Sequence, residues 1–482
     1  MSFNGLHTAL SGIRAGQNGL DTASNNISNA NTDGYTRQRV ELSQTSTIQR
    51  RGVNVGQGVQ VDGIHRLRED FLDTRARATG AEFSHQDTRA SLLQRTEELF
   101  AEPDHGLSET MGELWDAFED LGNEPDDLAT REQVVGALET LAGRFNGIAQ
   151  GLDQLESDTH VRLDGAVDDA NELLGRLDEL NDEISAAGGR QVNALRDERD
   201  LVLDDLSNLV GVDVQVAEEN EDVVEVSIGV GGQTLVDIEG VQGELALVDD
   251  EVSDGQFLAA VDPDNPPDEI GEGDALTGIR GEIPSLIGFL SEPGPGERGL
   301  GDFREQLDDF ADDFMTMLNA QHNAPVEGND DIIHTDLLTG GEDGAGSLRV
   351  DEDLDPDHLI AGETTDPLDG RNAEALADLR ETPMNDVDVD DDLPEGPAEE
   401  VYRNIAIALG RETRSATEDA DTREGLYSSA EVARSQAHDV SIDEEMVGLM
   451  QFQRALEASS RAMTSVDEAL DTLINRTGLV GR

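Results

Sequence analysis

The sequence of 482 residues contains no cysteine and no lysine; all 33 of its basic side chains are arginine. Without cysteine there is no disulfide, no thiolate nucleophile and no cysteine metal site. Positive charge is scarce, 33 basic against 106 acidic side chains, for a net charge of −73. A nucleic acid or anionic membrane needs a basic face to neutralise its phosphates, so neither is an expected partner. No segment approaches the ~18 to 20 consecutive apolar residues of a membrane span, and no membrane insertion is expected. Met1 to Leu20 has neither a basic leader nor an apolar stretch behind it, so it is not an ordinary secretory signal.

Catalytic and metal-binding patterns are missing too. The nine His never fall three, four or five residues apart, which excludes a zinc helix with paired His. Gly294, Gly296 and Gly299 have phosphate-loop spacing, but Pro293 and Pro295 interrupt the string. Asp386, Asp388 and Asp390 begin like a calcium loop, yet Asp391 stands where glycine is required and Pro397 where glutamate is. No Gly-x-Ser-x-Gly elbow occurs, and paired carboxylates are too numerous to point to a glycosidase. No cofactor, metal or catalytic residue is expected.

The acidity itself needs a cause. Disorder is one cause of such a composition, but helical apolar periodicity persists through most of the chain. A folded protein adapted to very high salt fits better, because at about 1 M salt the Debye length falls to ~3 Å and self-repulsion is screened. The charge is also uneven. Residues 1–60 carry five Arg and three acids, residues 446–482 four of each, and the interior 61–445 carries a net −75. A surface spared from acidification is one covered by protein, so both chain ends read as contact surfaces.

Their spacing agrees. Leu6, Ile13, Leu20 and Ile27 fall seven apart, with Ala9, Gly16, Ala23 and Ala30 three residues after each. Ile442, Leu449, Leu456, Met463 and Leu470 also fall seven apart, with Glu445, Phe452, Ser459, Val466 and Leu473 at the same offset. Such a double seven-residue repeat is the seam of a coiled coil. Small residues on one helix and bulkier ones on the other would let the two ends pack closely. Two unrelated amphipathic core helices would show the same spacing. Glycine-rich helices of this length are marginal alone, so both ends are expected to order only when packed.

Length alone suggests about three domains at ~150 residues each. Leu107, Met111, Leu114, Trp115, Phe118 and Leu121 mark a helix that stops before Pro125. A long helix is predicted through Leu138, Leu141, Phe145, Ile148, Leu152 and Leu155, a third from Leu163 to Ile184, and a fourth over roughly 192–209. The period drops to two at Val212, Val214 and Val216 and again from Val224 to Val230, which predicts a small antiparallel sheet reaching to about residue 278. Helical spacing resumes at Phe303, Leu307, Phe310, Phe314 and Leu318. Residues 321–400 are acidic and loop-rich, and Val401, Ile405 and Leu409 mark a short helix. The expected fold is mainly α: a long helical rod with paired N- and C-terminal coiled-coil helices and an inserted small antiparallel β domain. Its divisions are an axial helix at 1–40 pairing with 440–482, a helical rod in two halves at 41–211 and 279–439, and the β insertion at 212–278.

One stretch is more specific. Ser24-Asn25-Asn26-Ile27-Ser28-Asn29-Ala30-Asn31-Thr32-Asp33-Gly34-Tyr35 closes the first helix with Asn and Gly, which tolerate left-handed backbone and cap through side-chain hydrogen bonds. The string resembles the N-terminal motif of the bacterial flagellar axial proteins, the rod, hook and hook-associated family. Ser11-Gly12 and Gly34-Tyr35-Thr36-Arg37-Gln38-Arg39 resemble the version in hook-associated proteins of the first type, the hook–filament junction proteins. So do Glu119 to Arg131, with Asn123 and Pro125, and Leu180 to Val212, with Arg196-Asp197-Glu198-Arg199-Asp200. The ending Val440-Ser441-Ile442-Asp443-Glu444-Glu445, with Leu449, Gln453 and Ala455 beyond it, is similar to their C-terminal motif. The likeness lies in residues 1–215 and 430–482. Leu456 departs from it, standing where the family usually has Tyr, and the short β insertion implies that one outer domain of longer relatives is missing.

The resemblance implies a structural protein rather than an enzyme, exported unfolded through the flagellar channel without a cleaved signal and located outside the cell. It implies terminal helices that pair and stack with neighbours into an inner tube, and a ring of subunits that joins hook to filament and templates filament assembly. The implied partners are further copies of the chain, the hook protein, the neighbouring hook-associated protein and an export chaperone at the C-terminal helix. The residues expected at the assembly interface are Leu6, Leu10, Ile13, Leu20, Asn25, Asn26, Ile27, Asn29, Gly34 and Tyr35, with Ile442, Leu449, Phe452, Leu456, Met463, Val466, Leu470 and Leu473. Another flagellar axial protein is the nearest alternative. A secreted hydrolase on a flagellar scaffold is the other; residues 212–278 hold no His, and 321–400 only His322, His334 and His358.

Overall fold

The computed structural model describes residues 3–50, 53–100, 106–187, 190–249, 256–261, 275–290, 298–324, 335–340, 344–364, 366–387 and 393–472. Pro293 to Gly296, His334, Asp388, Asp390, Asp391 and Leu473 lie outside these residues. Among the described residues the first helix is α1 (Phe3–Ser28) and the last is α10 (Ile442–Asp471). The two pack against each other, joining the ends of the chain as their spacing predicts.

The segment after α1 is not the helical stretch expected from residue 41. Strands β1 (Gln38–Gln44), β2 (Thr47–Arg50), β3 (Val53–Gly56) and β4 (Val59–Arg66) form a long ribbon, β1 on β4 and β2 on β3, with a bulge at Glu41/Leu42. Val40, Leu42, Val53, Val55, Val59 and Val61 give these strands β-branched and apolar residues at period two. The ribbon lies along α1, with Val59 N–H donating to Ser11 Oγ at 3.2 Å.

The helical body is made of α2 (Asp70–Phe100), α3 (Leu107–Asn123), α4 (Leu128–Ala186) and α5 (Arg190–Val210) before the β insertion. After it come α6 (Glu282–Leu290), α7 (Leu300–His322), α8 (Arg371–Asp378) and α9 (Ala398–His438). The second and third expected helices are one: α4 runs unbroken for 59 residues, about 90 Å at 1.5 Å per residue. Neither Gly nor Pro lies between Leu152 and Leu163, and buried Thr159 carries the apolar stripe from Leu155 to Leu163 while its hydroxyl donates to Leu155 O. The short helix expected near 401–409 extends to His438, because Thr413, Ala416, Ala420 and Ala430 continue its buried face with small side chains. α2 buries Ala76, Gly80, Ala81, Thr88 and Ala90 against it in the same way, with Phe83 stacked on Tyr427 at 5.9 Å.

The core centres on Trp115, Phe118, Phe145, Phe310, Phe314 and Tyr402, contributed by α3, α4, α7 and α9. The stretch 321–400 is short of regular structure but supplies Leu337, Leu348, Leu359, Leu376 and Met384 to that core. Strands β5 (Val212–Val216), β6 (Val224–Ile228), β7 (Gln233–Asp237) and β8 (Gly240–Val241) form an antiparallel sheet in sequence order. Val212 pairs with Ile228, Val214 with Val226 and Val216 with Val224, as the alternation predicts. A separate hairpin joins β9 (Glu244–Asp249) to β10 (Gln256–Val261), and strands β11 (Leu338–Thr339) and β12 (Arg349–Val350) pair within 321–400.

Candidate assembly surface and the junction beneath it

Four glycines on α1 form the line of closest approach to α10. A Cβ built on Gly5 falls 3.3 Å from Val466, on Gly12 2.6 Å from Ser459 Oγ, on Gly16 3.3 Å from Leu456 Cβ, and on Gly19 2.4 Å from the Phe452 ring. Rising numbers on α1 meet falling numbers on α10, so the helices are antiparallel. Missing side chains on α1 let α10 side chains rest on its backbone. Gly5, Gly12 and Gly19 each stand one residue before a member of the row Leu6, Ile13, Leu20 and Ile27, which lies half-buried beside the contact line, while Gly16 belongs to the expected small row. The small row behaves as expected: Ala9 is 5% and Ala23 3% exposed, and Gly16 is buried. Ala30 falls beyond the helix end at Ser28.

The remaining expected interface residues divide by burial. Leu10, Leu449, Phe452, Leu456, Met463, Val466 and Leu470 are half-buried. Ile442 is exposed, in a patch with Met446, Val447 and Met450, each 46 to 53% exposed. No described residue of α1 or α10 belongs to the apolar core of the body. In one chain the terminal pair is thus held by its own contacts and its foot, with apolar surface left uncovered.

The foot is built by the Asn-rich stretch. Asn26 is fully buried; its Nδ2 donates to Gln38 O at 2.8 Å, and its Oδ1 accepts from Gln38 N–H at 3.1 Å and the Tyr35 hydroxyl at 2.8 Å. One amide thus replaces a ladder partner for β1. Asn25 and Asn29 lie outward and bond each other, Asn29 Nδ2 donating to Asn25 Oδ1. Gly34 takes φ +72°, a backbone conformation that favours glycine, and a Cβ there would lie 2.6 Å from the Leu201 side chain and push it aside. Tyr35 is half-buried, and burial with the charges of Asp197 and Glu445 pushes its hydroxyl pKa up to about 12.

Beneath the foot lies an ionic junction that joins every nearby element. Arg37 binds Glu444 at 2.8 Å and Glu445 at 2.7 Å, tying β1's approach to α10. Arg66 bridges Asp197 at 2.8 Å and Asp200 at 2.6 Å, while Arg68 binds Asp200 and Asp73. Arg77 and Arg434 share Asp204, at 2.9 and 2.7 Å. Burial would raise the Asp200 pKa, but Arg66, Arg68 and Arg77 overrule it and hold the carboxyl below its usual range. Asp197 shifts the other way, raised by burial against the pull of Arg66. Arg199, pushed down to about 10 by burial, donates to Asn181 Oδ1 and Asp222 O and so connects α5 to α4 and the β insertion. At the α9–α10 elbow His438 Nε2 accepts the Glu69 N–H at 3.0 Å.

Sequence reasoning placed Asp197 and Asp200 within a motif but missed Arg66, Arg68, Arg77, Arg434 and His438. Scarcity was the available signal, since each arginine of an acidic interior has many carboxylates to meet. Arg131 explains the turn from Glu119 onwards: its guanidinium donates to the carbonyls of Pro125, Pro356 and Leu359 and pins the break between α3 and α4. Among the described residues no group of three or more His, Asp or Glu is placed to hold a metal ion, and no helix is long and apolar enough to cross a membrane.

Known proteins share this architecture. Residues 93–337 match the model of the flagellar hook-associated protein FlgK helical domain. Residues 6–36 match that of the flagella basal body rod protein, and 436–476 that of the flagellar basal body rod FlgEFG protein C-terminal. The chain is 30% identical to flagellar hook-associated protein 1 of Bacillus subtilis, over 100% of its own length and 99% of that protein's. The chain belongs to the flagellar hook-associated protein 1 family. It is 28% identical to the Escherichia coli protein of that name over 68% of this chain, and spans 58% of that relative's length. The flagellar hook junction protein FlgK from Burkholderia pseudomallei shares its fold, with a TM-score of 0.61, 14% identity and coverage of 76% of this chain and 100% of that one. The family assignment thus covers both the terminal pair and the helical body it stands on.

Proposed function

We propose that this member of the hook-associated protein 1 family is a structural subunit of the bacterial flagellum, outside the cell, where copies form the ring that joins hook to filament and templates filament assembly. The observation that carries this reading is the α1–α10 pair. It lies outside the core, comes from chain ends of little net charge (residues 1–60 and 446–482), and leaves Ile442, Met446, Val447 and Met450 uncovered. Neighbouring copies supply the missing cover and bury the half-exposed rows Leu6, Leu10, Ile13, Leu20 and Ile27, and Leu449, Leu456, Met463 and Leu470. The hook protein and the next hook-associated protein contact the two ends of this ring. An export chaperone shields the C-terminal helix before secretion, while its apolar face has no partner. No catalytic role is assigned; the family names describe structural flagellar proteins.

The test is Leu456→Asp. A carboxylate on the half-buried seam leaves the body folded, as read by its circular dichroism and unfolding midpoint, but blocks incorporation into flagella. Normal incorporation of this variant contradicts the assembly role of the seam.

A further inference from the structure

Arginine is scarce in this chain, 33 against 106 acidic side chains, yet α9 aligns three on one outward face. Arg403, Arg411 and Arg414 are exposed and span about 16 Å at 1.5 Å per residue. Between them Ile407 is 42% exposed. These four positions recur at three and four residues, on the side of the helix turned from buried Tyr402, Ile405 and Leu409. Among the described residues none of the three guanidinium groups makes a hydrogen bond or ion pair. Glu400 precedes Arg403 by three residues and Glu418 follows Arg414 by four, the spacing of helix pairs, but neither pair closes. Glu412 is taken by Arg89 at 2.6 Å. The result is a cationic, partly apolar face on an acidic molecule, and arginine is enriched where proteins meet.

Its charge calls for an acidic partner surface, and the chain carries one across the same core. Phe310 of α7 packs on Phe145 of α4 at 5.8 Å and on Tyr402 of α9 at 5.7 Å, so α7 lies between the two helices. On the side of α4 turned from Phe145, Glu132 and Glu139 are exposed and make no bond with a described residue. Beside them Gly136, Gly143 and Gly147 are exposed, and a Cβ added at each meets nothing within 4 Å. Each glycine costs this helix about 1 kcal/mol relative to alanine, and leaves the surface between the carboxylates shallow. We propose that the arginine face of α9 docks on this α4 face of a second copy, with the arginines on Glu132 and Glu139 and Ile407 over the glycines. The inference rests on the ring reading above and adds a contact between neighbouring bodies. Two different surfaces of one chain make a head-to-tail contact, the kind that closes rings. High salt screens repulsion at a distance, whereas guanidinium–carboxylate pairs in contact persist; elsewhere the acidic surfaces stay apart.

Because the chain lacks cysteine, Ile407→Cys with Gly143→Cys places a single thiol on each face. Flagella from cells carrying this double variant are treated with a bis-maleimide, whose arm tolerates either register of the two helices. A ladder of linked copies, from dimers upward, is expected. Each single variant should stay unlinked, since each face meets only the other kind. Adding Arg403→Glu, Arg411→Glu and Arg414→Glu should lower the linked fraction about tenfold, the worth of a few exposed ion pairs. Gly147→Leu favours the helix but fills the receiving face, and should lower the linked fraction as well. Unfolding midpoints at or above the parent value show that these variants are folded. The proposal is overturned if flagella built from the double variant give no ladder, if Ile407→Cys alone links, or if the charge-reversed chain links as well as the parent pair. Filaments that persist in cells lacking the gene would instead overturn the ring reading.

Discussion

Asn26 shows how one side chain can do the work of a strand. Both halves of its amide meet the backbone of Gln38, so β1 begins as though a neighbouring strand were present. The same device recurs where Asn171 meets Leu245, Asn181 meets Val224, and Asn319 meets Leu337 and Leu338. Asn26→Ala strands two buried backbone groups and should cost about 2 kcal/mol or more; faster hydrogen exchange at the Gln38 amide would report it, and unchanged exchange would count against this role. The sequence marked Asn25, Asn26 and Asn29 alike. Which one is buried depends on where the β1–β4 ribbon lies around α1, a tertiary fact that residue type does not carry. His438 gives a pH prediction. Burial lowers its pKa below 6.5, Asp73 opposes this, and Arg68 and Arg434 reinforce it. The unfolded chain therefore takes up the proton first, so stability present above pH 6.5 is lost as pH falls through the lower folded value. His438→Gln keeps an acceptor for the Glu69 N–H without titrating. The unfolding midpoint of the parent should fall more steeply between about pH 7 and 5 than that of this variant; parallel curves would refute the assignment.

At the scale of elements, the glycines of α1 are a packing choice against helix propensity. Alanine would favour the isolated helix by about 1 kcal/mol at each site, but overpacking costs about 1 to 3 kcal/mol, and at Gly19 a methyl would enter the Phe452 ring. Sterics win there. The absence of cysteine makes the pairing measurable, because Gly12→Cys with Ser459→Cys allows a single disulfide, from Cβ positions 3.3 Å apart. This cross-link should form readily, slow markedly on adding Gly19→Leu, and recover when Phe452→Ala makes room; equal rates in all three would contradict the observed register. The seven-residue rows revealed the pair, yet not the one-residue offset of the contact line, since a row of Gly5, Gly12 and Gly19 carries no hydrophobic signal. The same limit hid α2 and most of α9, whose mutual face is Ala, Gly and Thr. The period-two strands β5 and β6 and the core helices α3, α5 and α7 were legible because bulky apolar residues mark one face of each.

For the whole molecule, the net charge of −73 and its distribution dominate. The described arginines are largely spent on the junction and a few surface pairs, so most carboxylates repel one another across the surface. Added salt weakens the exposed pairs, but screening of the more numerous repulsions should prevail. The unfolding midpoint is expected to rise as potassium chloride increases from about 0.1 to about 2 M, and a flat or falling midpoint would contradict adaptation to high salt. Neutral ends on an acidic body also allow many copies to converge at their termini while their outer parts stay apart. The most direct measurement of that role is electron microscopy of cells lacking the gene, grown in their own medium. The account predicts bare hooks with filament protein shed into the medium, restored by the parent gene and not by Leu456→Asp. Intact filaments on cells lacking the gene would contradict it.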